Sequence, residues 1–233
     1  VKANALDLLR KELPRKRVKG AIGTGSMNDP YMPLEADRNL TGRALQVIAE
    51  HRFPIHILTK SDLVTRDLDT LKDINRVYAA VSFTITTADD DLGKKIEPGA
   101  ALVSRRLRAM EKLAANGILT GVTMMPILPF IEDTEENIAA IVRRASESGA
   151  RYILAGFSVS LRDRQRAYYY RQLDRLFPGL RGQYERRYGE RYWCPAPNAE
   201  RLEQAFRELC GRHGLATRLR PYTPPAASQL SLL

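Results

Sequence analysis

The sequence predicts an α/β fold built on a parallel β-sheet. Short β-rich runs alternate with longer stretches in which apolar residues recur every three or four positions. Strands separated by helices run parallel, because a parallel pair needs a long crossover connection. Units of this kind close into a barrel or form an open, doubly wound sheet.

Five runs are predicted to be strands, at 18–24, 55–59, 78–86, 118–125 and 152–157. Between them the apolar period changes from two to about 3.6, as expected of crossover helices. One such helix is marked by Val103, Leu107, Met110 and Ala114. Gly117 and Gly149 stand where helix C-caps belong. The order of elements therefore agrees with a parallel architecture.

The chain changes character after Phe157. Residues 161–193 carry nine arginines against four acidic residues, with six tyrosines and one tryptophan among them. Arginines that grip phosphates beside rings that stack on bases would form a nucleic-acid surface. Alternatively, the segment is an amphipathic helix pair that covers the barrel. A later apolar stripe predicts a helix over 198–213.

These patterns divide the chain into three parts. Residues 1–160 are predicted to form a partial barrel, and 161–220 an arginine- and tyrosine-rich helical segment that packs on it. Residues 221–233 contain prolines, serines and leucines without periodicity, and we expect them to form a flexible tail.

Composition narrows the class of protein. The 233 residues are 44% apolar and 27% charged, which is typical of a globular domain. No apolar run approaches the roughly 20 residues that span a bilayer. We therefore expect a cytoplasmic protein that does not engage a membrane. The formal net charge of +10 favours anionic partners such as nucleic acid. Cys194 and Cys210 are too few for a disulfide framework and match no zinc or cluster spacing.

The most informative stretch is the loop at 23–35, which follows the first predicted strand. Ligands in parallel α/β folds bind at the carboxyl ends of strands, where loops and helix N-termini converge. Small residues in this loop would let a ligand approach the backbone. Asn28, Asp29 and Glu35 would supply polar anchors.

This loop resembles the corresponding signature of the radical S-adenosylmethionine (SAM) superfamily. The resemblance is to its DNA repair photolyase-like group, which is related to spore photoproduct lyase. Further matching pieces follow in the family's order at 57–61, 66–67, 81–87, 97–98, 106–107 and 126–129. Together they cover residues 1–157.

The resemblance implies a partial (β/α)6 radical SAM-type barrel of parallel strands whose first strand is missing. It also implies SAM, a [4Fe-4S] cluster and a reductant such as flavodoxin or ferredoxin. In this family, cleavage of SAM yields a 5′-deoxyadenosyl radical that abstracts hydrogen from the substrate. The substrate of this chain is not identified, and nucleic acid is a candidate.

The family holds its cluster with three cysteines spaced C-x-x-x-C-x-x-C, and this chain has no such motif. An iron–sulfur cluster needs thiolate ligands. We therefore expect the ligands to lie outside this chain and the chain alone to be inactive. Val1 opens on what resembles the helix after the cluster loop, which favours truncation over a degenerate homologue.

The resemblance also assigns SAM contacts. Lys60 matches a lysine that contacts SAM, Asn28 replaces a SAM-binding serine, and Ser82 lies near a serine that helps to hold SAM. We expect these three on one wall of a single cleft, with Asp29 as a further anchor. In the alternative, Lys60 is a solvated strand-end lysine and Ser82 satisfies a backbone group.

Ser26 stands where the family carries a hydrogen-donating cysteine. A hydroxyl O–H bond is too strong to replace a thiol in that step, so reversal of spore photoproduct is not expected of this chain. No catalytic residue and no metal ligand is assigned. Two other functions stay open: a cluster-less barrel that binds nucleic acid, and a non-redox barrel enzyme for a small phosphorylated ligand.

Overall fold

The computed structural model describes residues 4–224 and is centred on one parallel sheet. Its five strands are β1 (Ile22–Thr24), β2 (Ile55–Thr59), β3 (Ala79–Thr84), β4 (Leu119–Met124) and β5 (Tyr152–Ala155). They lie side by side in chain order, and every neighbouring pair is parallel. The predicted partial barrel of parallel strands is confirmed. The first strand begins at Ile22 rather than at Val18, whose side chain is 71% exposed.

Helices connect the strands and pack outside the sheet. They are α1 (Ala5–Glu12), α2 (Glu35–Arg38), α3 (Leu40–Glu50), α4 (Leu68–Asn75), α5 (Asp90–Ile96), α6 (Val103–Ala115) and α7 (Glu135–Glu147). Short 3-10 helices lie at Leu13–Arg15 and Asp62–Asp67. The main core lies between helices and sheet, where Val81, Phe83 and Met110 are all completely buried.

Strand side chains alternate between two faces, so Ser82 points away from this core. On its own face Ser82 contacts His56 and Tyr152, at 2.8 Å and 2.6 Å from its hydroxyl. The intervening residue is Gly121, at which a Cβ would lie 2.4 Å from the Tyr152 ring. The tyrosine can cross the sheet at this point only because position 121 has no side chain.

The rest of the described chain contains α8 (Asp163–Leu176), α9 (Leu180–Tyr188) and α10 (Ala199–Arg212). A two-stranded antiparallel sheet joins β6 (Ser158–Ser160) to β7 (Trp193–Pro195). The sequence analysis predicted no strand within 161–193, but in the structure β7 begins at Trp193. A second, smaller core groups Val159, Leu161, Tyr170, Leu173, Tyr184, Tyr188 and Cys194.

The predicted tail at 221–233 lies outside the described residues from position 225 onwards. Within 4–224, none of the helices combines the length and the apolar character needed to cross a bilayer.

Candidate functional site

A cleft of about 560 Å³ opens at the carboxyl ends of β2, β3 and β4. Cavities of this size commonly hold small ligands. One wall comes from the barrel and the other from the C-terminal segment. Its polar lining is Lys60, Thr86, Glu97, Glu132, Ser160, Gln165, Tyr168 and Tyr169, and its apolar lining includes Pro126, Leu128 and Leu161.

An ion-pair network on the barrel side of the cleft centres on Glu97. Lys60 Nζ lies 3.6 Å from Glu97 Oε1, and Arg106 Nη1 lies 2.7 Å from Glu97 Oε2. The Arg106 side chain is only 1% exposed and also donates to the carbonyls of Thr84 and Ala101. The Lys60 side chain is 40% exposed. Arg106 therefore fixes Glu97, and Glu97 orients a lysine that a ligand can reach.

Glu132 also lines the cleft, but unlike Glu97 its carboxyl group is buried and has a raised pKa. It is 1% exposed, and its Oε2 accepts the N–H of Leu128 at 3.0 Å. Among the described residues Oε1 makes no hydrogen bond of good geometry, although the Thr86 side chain is close enough to act on the carboxyl group. Burial raises the pKa of Glu132 to about 7, the Thr86 side chain and the Leu128 N–H oppose this rise, and the charges of Glu97 and Asp133 add to it. The carboxyl group therefore changes protonation near neutral pH, as is common for groups in functional sites.

The sequence reasoning missed Glu132. The available signal was an acidic residue that directly follows the mainly apolar run 127–131, just after a predicted strand. Such a position favours a buried carboxyl group.

The loop after β1 is tied to the end of β2 by Asp29. Its Oδ1 accepts from Thr59 Oγ1 at 2.7 Å, and its Oδ2 accepts from the Lys60 backbone N–H at 2.6 Å. Gly25 has a φ of +90°, and a Cβ there would lie 2.1 Å from the Leu58 carbonyl oxygen. A glycine is required at this close approach. Asp29 and Lys60 are thus in direct contact, as neighbours within the scaffold of the site.

Further along, the loop contributes to a partly buried charge cluster. Glu35 accepts the backbone N–H groups of Leu40 and Thr41, at 3.1 Å and 2.8 Å. Arg66 lies 3.1 Å from both Glu35 and Asp67. Both Glu35 oxygens are used in these contacts, so this residue holds the start of α3 in place. Neither carboxylate oxygen is left without a protein partner, so the contacts do not support the predicted role of Glu35 as a ligand anchor.

The remaining predicted site residues are dispersed. Asn28 is exposed and lines a separate groove of about 520 Å³ with Asp29 and Arg38. Ser26 is exposed, and Ser82 is completely buried against His56 and Tyr152. Asn28, Lys60 and Ser82 therefore do not share one wall of one cleft. The SAM contacts assigned to them stay predictions.

Three of the six tyrosines of the C-terminal segment are buried, namely Tyr170, Tyr184 and Tyr188. Tyr184 is 0% exposed, donates to the Pro129 carbonyl at 2.7 Å and accepts from Tyr169 at 2.8 Å. In contrast, Tyr168 is 58% and Trp193 59% exposed. The buried rings pack against one another and against Phe130, and only the exposed rings are available to stack on a base.

Metal ligands are missing from residues 4–224, where His, Cys, Asp and Glu form no group of three or more that could hold an ion. Cys194 and Cys210 are both buried, and burial raises the pKa of each thiol, to about 11 for Cys210. An iron–sulfur cluster needs accessible thiolates. The described residues do not fit a [4Fe-4S] cluster.

Comparison with known proteins gives the family. Residues 3–145 match the family model of the radical SAM superfamily. An uncharacterized protein of Mycobacterium tuberculosis is 28% identical over 99% of this chain, which spans 68% of that relative. One from Methanocaldococcus jannaschii is 38% identical over 58% of this chain and 49% of its own length.

Among solved structures, a spore photoproduct lyase mutant with bound AdoMet and dinucleoside spore photoproduct superimposes with a TM-score of 0.66. The match covers 92% of this chain and 66% of the lyase chain at 16% identity. This likeness concerns the fold, while the family model covers more than half of the sequence. The chain belongs to the radical SAM superfamily.

Proposed function

We propose that this chain is the SAM-binding, substrate-side part of a radical SAM enzyme that abstracts hydrogen from a nucleic-acid substrate. The observation that carries the proposal is the cleft at the carboxyl ends of β2 to β4, with a reachable Lys60 beside Glu97. Ligands of parallel α/β folds bind at this end of the sheet.

The described residues would bind and orient ligands. Lys60 offers an ammonium group to a carboxylate such as that of SAM, and Asp29 fixes the backbone from which Lys60 projects. In this family, reductive cleavage of SAM supplies the 5′-deoxyadenosyl radical. Since residues 4–224 do not fit the cluster, the role of this chain is binding rather than reduction.

Charge and aromatic exposure support a nucleic-acid substrate. The net charge is +10, and Tyr168 presents an exposed ring to the cleft from the arginine-rich helix α8. Phosphate contacts with bases stacked on aromatic rings are a common mode of single-strand binding. The similar lyase structure contains a bound dinucleoside spore photoproduct.

The test uses the polypeptide extended to include the residues encoded upstream of Val1. After anaerobic reconstitution with iron and sulfide, SAM and dithionite are added and 5′-deoxyadenosine is measured. We expect a yield above the no-protein control, whereas the 233-residue chain alone should give none. Lys60→Met should weaken SAM binding about tenfold, since a charge-assisted hydrogen bond is lost. Exposed Lys72→Met is the matched control.

A second candidate is a cluster-less barrel that binds nucleic acid, favoured by the missing cluster ligands within 4–224. It would be supported if the upstream residues include no three-cysteine motif and the extended protein binds oligonucleotides without cleaving SAM.

A further inference from the structure

Helix α8 carries a line of exposed side chains that borders the cleft. Its members are spaced three or four residues apart, so they lie on one face of the helix: Arg164, Tyr168, Arg171 and Arg175. At 1.5 Å per residue the line is about 16 Å long. Tyr168 lines the cleft, so this arginine stripe runs from the cleft onto the open surface.

The three arginines of the stripe have no acidic partner among the described residues. The salt bridges of the C-terminal segment belong to Arg166 and Arg181 instead. Asp174, the acidic residue of α8 nearest to the end of the stripe, lies 3.0 Å from Arg181. The side-chain contact of Arg175 is with the uncharged Gln172, at 2.7 Å. The stripe therefore presents three positive charges that the described side chains do not neutralise.

Exposed arginines on other helices are paired. Arg143 of α7 contacts Glu147, and Arg207 of α10 contacts Glu203, each four residues away on the same helix. In the stripe the residue four positions after Arg171 is Arg175, so a like charge stands where those helices have a carboxylate. Like charges at this spacing destabilise a helix slightly. A bound phosphate between the two would relieve this repulsion.

An accessible aromatic ring lies within the stripe. The ring of Tyr168 is 58% exposed, and Arg171 Cζ lies 6.0 Å from its centroid. Tyr170, two residues further along, is 8% exposed and packs in the second core. A ring flanked by cations suits a strand whose bases can turn outwards, because the bases stack on the ring while the phosphates meet the cations. In a duplex the bases are paired and stacked, out of reach of such a ring.

We propose that the arginine stripe binds the phosphates of a single-stranded nucleic acid and that Tyr168 stacks on one of its unpaired bases at the cleft. The inference rests on the nucleic-acid substrate proposed above and adds the strandedness of that substrate and its path over the surface. Arg164 and Arg171 contact the backbone on the two sides of the stacked base, and Arg175 contacts it further from the cleft.

The test measures how a labelled single-stranded DNA decamer of mixed sequence binds to the 233-residue chain, by fluorescence anisotropy between about 50 and 200 mM salt. The stripe variant combines Arg164→Gln, Arg171→Gln and Arg175→Gln. Each phosphate contact to a single strand contributes about 0.7 to the slope of log affinity against log salt. The stripe variant should therefore give a slope shallower by about 2, with affinity at the lowest salt reduced at least tenfold.

A matched control removes the same charge elsewhere. It combines substitutions at exposed, carboxylate-paired arginines of α7 and α10: Arg143→Gln, Arg207→Gln and Arg212→Gln. Glutamine favours the helix about as well as arginine, so both triple variants should keep the circular dichroism spectrum of the unmodified protein. The control should also keep its salt slope.

Two further comparisons separate base stacking from phosphate binding. Tyr168→Leu should weaken binding of the decamer about tenfold at every salt concentration without changing the slope, since stacking releases no counterions. A duplex of the same sequence should bind more weakly than the single strand and should not respond to Tyr168→Leu. A single-stranded RNA decamer should lose the same slope in the stripe variant, because both backbones carry phosphates. Its affinity relative to the DNA decamer distinguishes the two sources.

Each failure has its own pattern. If the decamer binds and the stripe variant keeps the slope of the unmodified protein, the role of the stripe is overturned while nucleic acid stays a partner. Equal losses in the stripe variant and the control would mean that net charge alone decides binding, and would also overturn it. A duplex that binds as tightly as the single strand would contradict the single-stranded substrate. Binding of none of the probes would contradict the nucleic-acid substrate itself.

Discussion

The loop at 23–35 and the C-terminal segment at 161–193 both have the composition of ligand-binding surfaces, and the fold uses them differently. In the loop, the carboxylate oxygens of Asp29 and Glu35 accept hydrogen bonds from backbone N–H groups and neighbouring side chains. In the segment, Tyr184 and Tyr188 bury their rings and donate their hydroxyls to the carbonyls of Pro129 and Pro195. Polar composition alone therefore does not identify a binding group, because the fold can use polar side chains to satisfy its own buried groups.

The largest effect is expected in the second core. Tyr184→Ala removes a completely buried ring and its hydrogen bond to Pro129, and should lower the free energy of unfolding by about 4 kcal/mol. Urea denaturation followed by circular dichroism measures it. Tyr192→Ala, at a half-exposed ring, should change stability by less than about 0.5 kcal/mol. Similar losses for both variants would mean that the segment has no packed core.

The charge cluster of the loop gives the next effect. Glu35→Ala leaves Arg66 without one carboxylate and frees two backbone N–H groups, so we expect a loss of about 3 kcal/mol. The same unfolding measurement applies. Glu50→Ala, at the exposed end of α3, is the control. If Glu35→Ala leaves the free energy of unfolding unchanged, Glu35 does not hold the loop and is again a candidate ligand anchor.

Glu132 lies on the cleft that the C-terminal segment helps to line, and the size of its expected effect depends on pH. The folded-state pKa of Glu132 is raised to about 7, above its unfolded value of 4.5. The folded state thus binds the proton more tightly, and stability falls as pH rises from 4.5 to 7. Glu132→Gln avoids the buried charge and should be more stable than the unmodified protein at pH 8, by about 2–3 kcal/mol, and similar to it at pH 5. Thermal unfolding at both pH values, with Glu136→Gln as reference, measures the difference.

The smallest change in stability belongs to Tyr168, whose ring is 58% exposed on the cleft. Tyr168→Leu should alter the free energy of unfolding by less than about 0.5 kcal/mol. It should nevertheless weaken oligonucleotide binding about tenfold, since stacking of a base on a ring is lost. A marked loss of stability in Tyr168→Leu would mean that this ring packs in the core, as the buried tyrosines do.

The sequence predicted the barrel well because its signals are local. β2 was expected at 55–59 and lies at Ile55–Thr59, since an apolar run is bounded there by residues that end a strand. The three-residue β7 was missed, because it has no periodicity of its own and forms by pairing with distant β6. Ser82 was placed on the right strand, but its partners were not predictable. They depend on Gly121 leaving space for the hydroxyl of Tyr152 to reach it.

That crossing of Tyr152 over Gly121 has a consequence for the evolution of the chain. A Cβ at position 121 would lie 2.4 Å from the tyrosine ring, so neither position can accept an arbitrary residue while the other stays as it is. Homologues with a side chain at the equivalent of Gly121 should carry a residue smaller than tyrosine at the equivalent of Tyr152. In those homologues the serine equivalent to Ser82 would lose one of its two partners. We therefore expect the three positions to vary together across an alignment of this group.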